Sequence, residues 1–277
     1  MQLRLEQVSF AYRRGMPVLQ EINVALAGGE FVALAGRSGS GKSTLVQVMK
    51  GLIRPDAGRI SLDGEAAADG LFDAVGLVFQ YPEHQLFARS VYDDIAFGPR
   101  RQGLAELQVE ERVLNAMAAM ALDPVRYREA SPFELSGGEK RRVAIAGVIA
   151  LEPRWLLLDE PTAGLDARGR KALFTLLERL RHERGVGVLV VTHRLEEVLP
   201  CATRLVIMQA GRIAADGEPL ALLADESRVR QMGLEPLEAI QLRQRLLALG
   251  WPALDAPWDV DRTAEALLAY RRGRGGR

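Results

Sequence analysis

The segment GRSGSGKST at 36–44 constrains this 277-residue chain more than any other. Residues 31–35 before it form an uninterrupted apolar run, the pattern of a strand buried on both faces of a parallel sheet. Leu45, Val48 and Leu52 after it recur at helical spacing. Strand, glycine-rich turn and helix in that order are the context in which such a loop holds phosphate. Gly36, Gly39 and Gly41 lack a Cβ, so the backbone can close on a ligand. The loop amides and the start of the helix then point positive charge at phosphate oxygens. Arg37, Ser38, Ser40 and Thr44 fill out the loop, and Lys42 adds a mobile charge for the outer phosphates. The Ser43 hydroxyl is placed to ligate magnesium.

Three more apolar runs each end in polar residues of catalytic type. Residues 75–79 lead into Gln80, 155–158 into Asp159 and Glu160, and 186–191 into Thr192 and His193. In an open α/β sheet, ligands bind beyond the carboxyl ends of the strands, so these residues are expected on one rim around the cradle. Asp159 would hold the magnesium ion, directly or through water. Glu160 would orient and polarise an attacking water. His193 and Gln80 would hydrogen-bond the γ-phosphate or that water, and Gln80 is also a candidate metal ligand. Taken singly, these residues have plainer explanations. An Asp-Glu pair before Pro161 suits a helix N-terminus, and a lone histidine suits a surface.

LSGGE at 135–139 would alone signify a helix N-cap and a flexible turn. Together with GRSGSGKST, WLLLDEP at 155–161 and AGLD at 163–166, it makes residues 1 to about 217 resemble an ABC-type ATPase subunit. The stretch 75–99, with 132–153 and 158–171, resembles more narrowly the ATP-binding subunits of energy-coupling-factor transporters, and most of all the second of their two paired ATPases. The fold so implied is α/β: a P-loop NTPase, ABC-type nucleotide-binding domain with an inserted helical subdomain and a small, mostly helical C-terminal extension. The implied activity is ATP hydrolysis with ATP and magnesium, coupled to uptake of a vitamin, metal ion or other micronutrient. Two cassettes would face head to tail, with Ser136, Gly137, Gly138 and Glu139 reaching the nucleotide on the opposite chain. Asp166 would lie in the loop that crosses the dimer, and His193 falls on the switch histidine. Tyr12 matches the aromatic that stacks on adenine, although it also alternates with Val8 and Phe10 as on one strand face. Glu139 stands where many ABC proteins have glutamine, and Ala167 where proline is common; neither change removes a group the chemistry needs. The implied partners are a homologous ATPase subunit (a heterodimer favoured over a homodimer), a transmembrane scaffold and a substrate-binding membrane component.

Charge excludes one class of partner: Lys+Arg and Asp+Glu each number 36, so no net field draws the chain to nucleic acid. A single cysteine, Cys201, cannot close an internal disulfide and is expected as a small buried hydrophobe in a reducing compartment. No stretch approaches the roughly 18 apolar residues of a membrane span. Arg4 and Glu6 interrupt any leader-like start. The expected location is the cytoplasmic face of the cell membrane, with membrane contact only through partners.

Between about residues 85 and 150 the sheet pattern gives way to helices. Val113, Ala116, Met117 and Met120 make an apolar stripe, while Glu106, Glu110, Glu111 and Arg112 are charged. The resemblance makes this the subdomain that docks on the membrane partner. Tyr92, Asp93 and Asp94 stand at its entrance, the two aspartates suited equally to docking and to a helix cap. Residues 204–208, the turn at 209–211 and Ile213 suggest a hairpin closing a domain of 1–217. From 218 to 277 the pattern is helical, through Leu220, Leu222 and Leu223, then Leu237, Ile240, Leu242 and Leu246 with Arg243 and Arg245, then 264–270 beyond Pro252 and Pro257. This extension would either help dimerise the subunits or cap its own cassette. The closing RRGRGGR reads as a disordered tail, with a contact to anionic lipid headgroups as the alternative. A chromosome or DNA-repair ATPase of this type would need long coiled-coil insertions, and a translation-associated one two cassettes. The nearer rival is the ATPase of an ordinary solute importer.

Overall fold

The apolar runs become the inner strands of a six-stranded sheet. The computed structural model describes residues 2–66, 74–251, 258 and 260–274. In chain order the strands are β1 Gln2–Phe10, β2 Leu19–Ala27, β3 Phe31–Ala35, β4 Ala57–Leu62, β5 Glu65–Ala66, β6 Val75–Val78, β7 Trp155–Asp159, β8 Gly187–Val191, β9 Arg204–Gln209 and β10 Arg212–Gly217. The helices are α1 Lys42–Lys50, α2 Val91–Arg101, α3 Glu106–Ala119, α4 Pro124–Tyr127, α5 Gly137–Ile149, α6 Ala167–Arg184, α7 Leu195–Val198, α8 Pro219–Leu223, α9 Glu226–Gln231, α10 Glu238–Ala248 and α11 Val260–Arg274.

The main sheet has the order β10-β9-β3-β8-β7-β6. All its pairings are parallel except that of β9 with β10, which closes the edge as a hairpin. The hairpin turn puts Ala210 at φ 48° and Gly211 at φ 77°, the left-handed pair that a two-residue β-turn demands. Side chains of each inner strand alternate between two cores. Phe31, Ala33 and Ala35 join Leu156, Leu158, Val188 and Val190 on the face covered by helices. Val32 and Leu34 join Trp155, Leu157, Leu189 and Val191 on the face covered by α1 and a second sheet.

That second sheet is antiparallel, in the order β2-β1-β4-β5. Leu3, Leu5 and Val8 of β1 and Ile22, Val24 and Leu26 of β2 supply its buried face. The sequence reading did not anticipate it, although these residues alternate with polar ones. Tyr12 is not part of the β1 face: the strand stops at Phe10, and the ring of Tyr12 stands edge-on to Phe10 at 4.9 Å. Leu52 likewise lies outside the helix that its spacing suggested, because Gly51, at φ 82°, caps α1 one residue after Lys50.

Helices α2 to α5 are inserted between β6 and β7, and the expected stripe of Val113, Ala116, Met117 and Met120 is buried. Both aspartates at the start of α2 are committed locally. Asp93 accepts from Ser90 and Arg100, and Asp94 accepts the amides of Phe87 and Ala88. Beyond β10, Leu222, Leu223, Val229, Met232 and Ile240 enter the same core as Phe31, whereas Leu242, Leu247 and Leu249 are exposed. The start of the extension therefore packs on its own cassette. Cys201 is half-buried beside that core, and burial pushes its thiol up to about 11. The basic segment 271–277 enters α11 as far as Arg274; its last three residues, with Pro252 and Pro257, lie outside the described residues.

Gly187 shows how little room the sheet leaves: a Cβ there would lie 2.6 Å from the Trp155 ring. Gly187→Ala is expected to cost about 1–3 kcal/mol of unfolding free energy, read by urea denaturation.

Candidate nucleotide site

The loop between β3 and α1 is built by close backbone approach. Gly36 has φ 147°, and a Cβ there would sit 2.2 Å from the Met208 carbonyl oxygen. Gly41, at φ 102°, caps α1, and a Cβ there would meet the Val18 carbonyl at 2.8 Å. Neighbouring segments pin the loop from outside: Gly211 N–H donates to the Ser40 carbonyl at 3.2 Å, and Arg37 Nε donates to the Gly233 carbonyl at 3.0 Å. Ser40 Oγ is buried without a hydrogen-bond partner among the described residues.

Lys42 Nζ folds back to donate to the carbonyls of Gly36 and Arg37, at 2.8 and 3.0 Å. Burial lowers its pKa, against the opposing pull of Glu160 and Asp159. The carboxyl of Asp159 moves the other way. Burial raises its pKa and Glu160 adds to the rise, while a hydrogen bond from Ser43 and the charge of Lys42 oppose it. A partly buried carboxylate of this kind is stabilised by a cation that arrives beside it.

Glu160 follows β7 in the left-handed region, at φ 49°. For a residue with a side chain such backbone costs on the order of 1–3 kcal/mol and marks a constrained position. Its N–H donates to the Val191 carbonyl at 2.9 Å, and its Oε1 lies 2.8 Å from Nδ1 of His193. A cavity of about 390 Å³ gathers Ser38, Gly39, Gly41, Lys42, Ser43, Thr44, Gln80, Asp159, Glu160 and His193. Three strand ends and the loop thus meet as their order along the chain suggested. Tyr12 stands nearby with its ring 60% exposed, and its hydroxyl is 3.2 Å from Thr44 Oγ1.

The LSGGE segment does not line this cavity. Ser136, Gly137 and Gly138 are exposed, and among the described residues nothing lies within 4 Å of where a Cβ on either glycine would be. Ser136 caps α5 reciprocally with Glu139: the glutamate accepts from Ser136 Oγ at 2.7 Å and from its N–H at 2.9 Å. The Tyr127 hydroxyl donates to the other carboxylate oxygen at 2.6 Å. Chiefly through Tyr127, then Ser136, the Glu139 carboxyl is held down to about 2. Exposed Asp166 caps α6, accepting from Gly169 N at 2.7 Å.

One residue escaped the sequence reading. Arg141 is buried, and it donates to the carbonyls of Gln80, Pro161 and Ala163. Its register with Ile145 and Ile149, at i+4 and i+8 on a buried stripe, was the available signal.

A phosphate loop fastened to a parallel sheet, with an Asp-Glu strand end and a histidine facing it, defines a nucleotide-hydrolysing cassette. The ABC transporter family matches residues 19–163, and the chain belongs to that family. It is 42% identical to the energy-coupling factor transporter ATP-binding protein EcfA2 of Symbiobacterium thermophilum, across 100% of this chain and 98% of that protein. Its fold resembles cbiO1 of Clostridium perfringens, described as part of the ABC transporter complex cbiONQ, with TM-score 0.74 and 35% identity over 87% of this chain and 98% of that one. A dimeric ATP-binding cassette holding ADP and phosphate gives TM-score 0.69 and 28% identity over 78% of this chain and 98% of that one.

The depressed Glu139 carboxyl carries a pH consequence. Its contribution is fully present above the usual glutamate value of 4.5 and is lost as pH falls toward about 2. The stability gap between the native chain and Glu139→Gln, from urea denaturation at a series of pH values, is therefore expected to be flat above that window and to shrink within it.

Proposed function

We propose that the chain is an ATP-hydrolysing subunit of an energy-coupling-factor transporter, energising uptake of a micronutrient. The observation that carries the hydrolytic part is Glu160, fixed in a left-handed conformation and paired with His193 on the rim of the loop cavity. Similarity over the full length to an EcfA2 protein supports the transporter class.

Magnesium suits the residues present. Ser43 and Asp159 share a hydrogen bond inside the cavity, the carboxyl is destabilised by burial, and Gln80 lies on the same rim. These three would hold the ion, with phosphate oxygens and waters completing its shell. When bound, the ion supplies charge neutralisation for the outer phosphates. The glycine-rich loop and Lys42 bind and orient those phosphates, with Arg37, Ser38, Ser40 and Thr44 as the rest of the cradle. Glu160 accepts a proton from the attacking water as His193 holds its carboxylate in place, and Gln80 orients the same water. Tyr12 offers its exposed ring to the base.

The exposed start of α5 supports an active pair of cassettes. Ser136, Gly137, Gly138 and Glu139 would engage the nucleotide held by a facing homologous subunit, with Asp166 at the crossing. ATP would favour the closed pair, and hydrolysis would reopen it. A transmembrane scaffold and a substrate-binding membrane component would take up that movement at the inserted helices. Among the described residues no helix is long and apolar enough to cross a membrane, so attachment at the cytoplasmic face would run through those partners. The ATPase cassette would span 1–217, and the extension 218–277 would first of all cap it.

Isolation of the tagged chain from detergent-solubilised membranes tests the assignment. Recovery of a second similar ATPase, a helical scaffold and a small variable membrane protein is the expected result; a conventional permease alone would point to an ordinary importer. Within the isolated complex, Glu160→Gln is expected to retain ATP binding and lose nearly all turnover, accumulating the closed pair on native gels. Tyr12→Ala is expected to weaken ATP binding by roughly 1–3 kcal/mol, the scale of base–aromatic stacking, in a nucleotide displacement titration.

A further inference from the structure

We propose that Arg141 is a positioning residue that makes the start of α5, the Gln80 turn and the turn after Glu160 move as one piece. The inference rests on the ATPase proposal above.

Arg141 is 4% exposed. One nitrogen, Nη1, donates to Pro161 O at 3.2 Å and also to Ala163 O; Nη2 donates to Gln80 O at 3.1 Å. Nε forms an ion pair with Glu83 at 3.4 Å, in the 3-10 turn Pro82–Gln85. That last contact lacks hydrogen-bond alignment, since Nε and Glu83 Oε2 are both without a hydrogen-bond partner among the described residues. Two nitrogens of the fork are fastened to backbone by three hydrogen bonds, and the third has slack.

The three acceptors are carbonyls of segments that flank the site. Gln80 itself lines the cavity, and Pro161 immediately follows Glu160. Glu160 is therefore held from one side by the Val191 carbonyl, and the peptide after it from the other by Arg141. The base of the fork is on α5, whose cap Ser136 lies five residues earlier. A shift of the α5 start, such as one imposed by a ligand on its exposed glycines, reaches Gln80 and Pro161 through one planar group. No flexible side chain intervenes at the acceptor end. A packing role alone would not call for this residue, because a buried charge must be fully partnered and an apolar side chain of like volume is usually no less stable. A lysine cannot replace it, being a point charge without the fork that spans three carbonyls.

The test compares Arg141→Lys with the native chain in the purified transporter complex, by thermal midpoint, ATP displacement titration, kcat, and hydrogen exchange of 80–85 and 161–163 with and without ATP. The expected result is a folded protein with ATP affinity within about twofold of native and kcat lower by roughly 10- to 100-fold. ATP should no longer slow exchange in the two turns. Native kcat in this variant overturns the proposal, and so does a kcat loss matched by an equal loss of ATP-binding protein. Should Arg141→Lys not fold, hydrogen exchange of the native complex decides: ATP slowing 80–85, 161–163 and the start of α5 together supports the proposal, and ATP slowing the start of α5 alone overturns it. A native complex without ATPase activity overturns the underlying ATPase proposal, and this inference with it.

Discussion

Burial of both faces of the parallel sheet governs the rest of the molecule. Each inner strand contributes alternate residues to two separate cores, with Phe31 and Ala33 on one side and Val32 and Leu34 on the other. No strand face is left to carry a polar group, so chemistry is confined to the segments where strands stop. Ser43, Gln80, Asp159, Glu160 and His193 come from four such segments and still meet around one cavity, because parallel strands end on the same side. A polar substitution within the strands would remain buried, whereas the loops beyond them answer mainly to the ligand.

The site is narrow because neighbouring backbone crowds it. Carbonyls of Met208 and Val18 stand where a Cβ on Gly36 or Gly41 would have to be, so packing alone requires glycine at both positions. Crowding also explains the electrostatics. Lys42 and Asp159 are each driven toward neutrality by burial and restrained by the other's charge. Such a pair is stabilised when a ligand brings charges of both signs, as a nucleotide with its cation does.

The glycine-rich loop and the three polar strand ends around its cavity were legible because each depends on local order along the chain: apolar run, polar residue, turn. The inserted helices were legible from one stripe of apolar residues. What stayed hidden depends on pairing across distance. The antiparallel sheet needed Leu3 to find Leu26 and Leu62, and no local signal names those partners. Of the two readings of Tyr12, the strand's end at Phe10 and the exposed ring go against the packed one. Asp93 and Asp94 fitted two roles equally in the sequence; the cap of α2 is Ser90, and the two carboxylates bond to residues around it, which local spacing did not show. Arg141 was hidden in a run of charges, Glu139 to Arg142, in which only three-dimensional register separates the buried member from the rest.

The contact between Arg37 and Gly233 joins residues 196 positions apart, and the core around Phe31 takes in Val229 and Ile240. The nucleotide loop thus leaves the ribosome well before the parts that brace it. A nascent chain would display GRSGSGKST long before Met208, Gly211 and Gly233 arrive to hold it, so the emerging fragment has the loop without its walls. Contacts of such long range form slowly, so a working site waits on the synthesis and docking of the segment around Gly233.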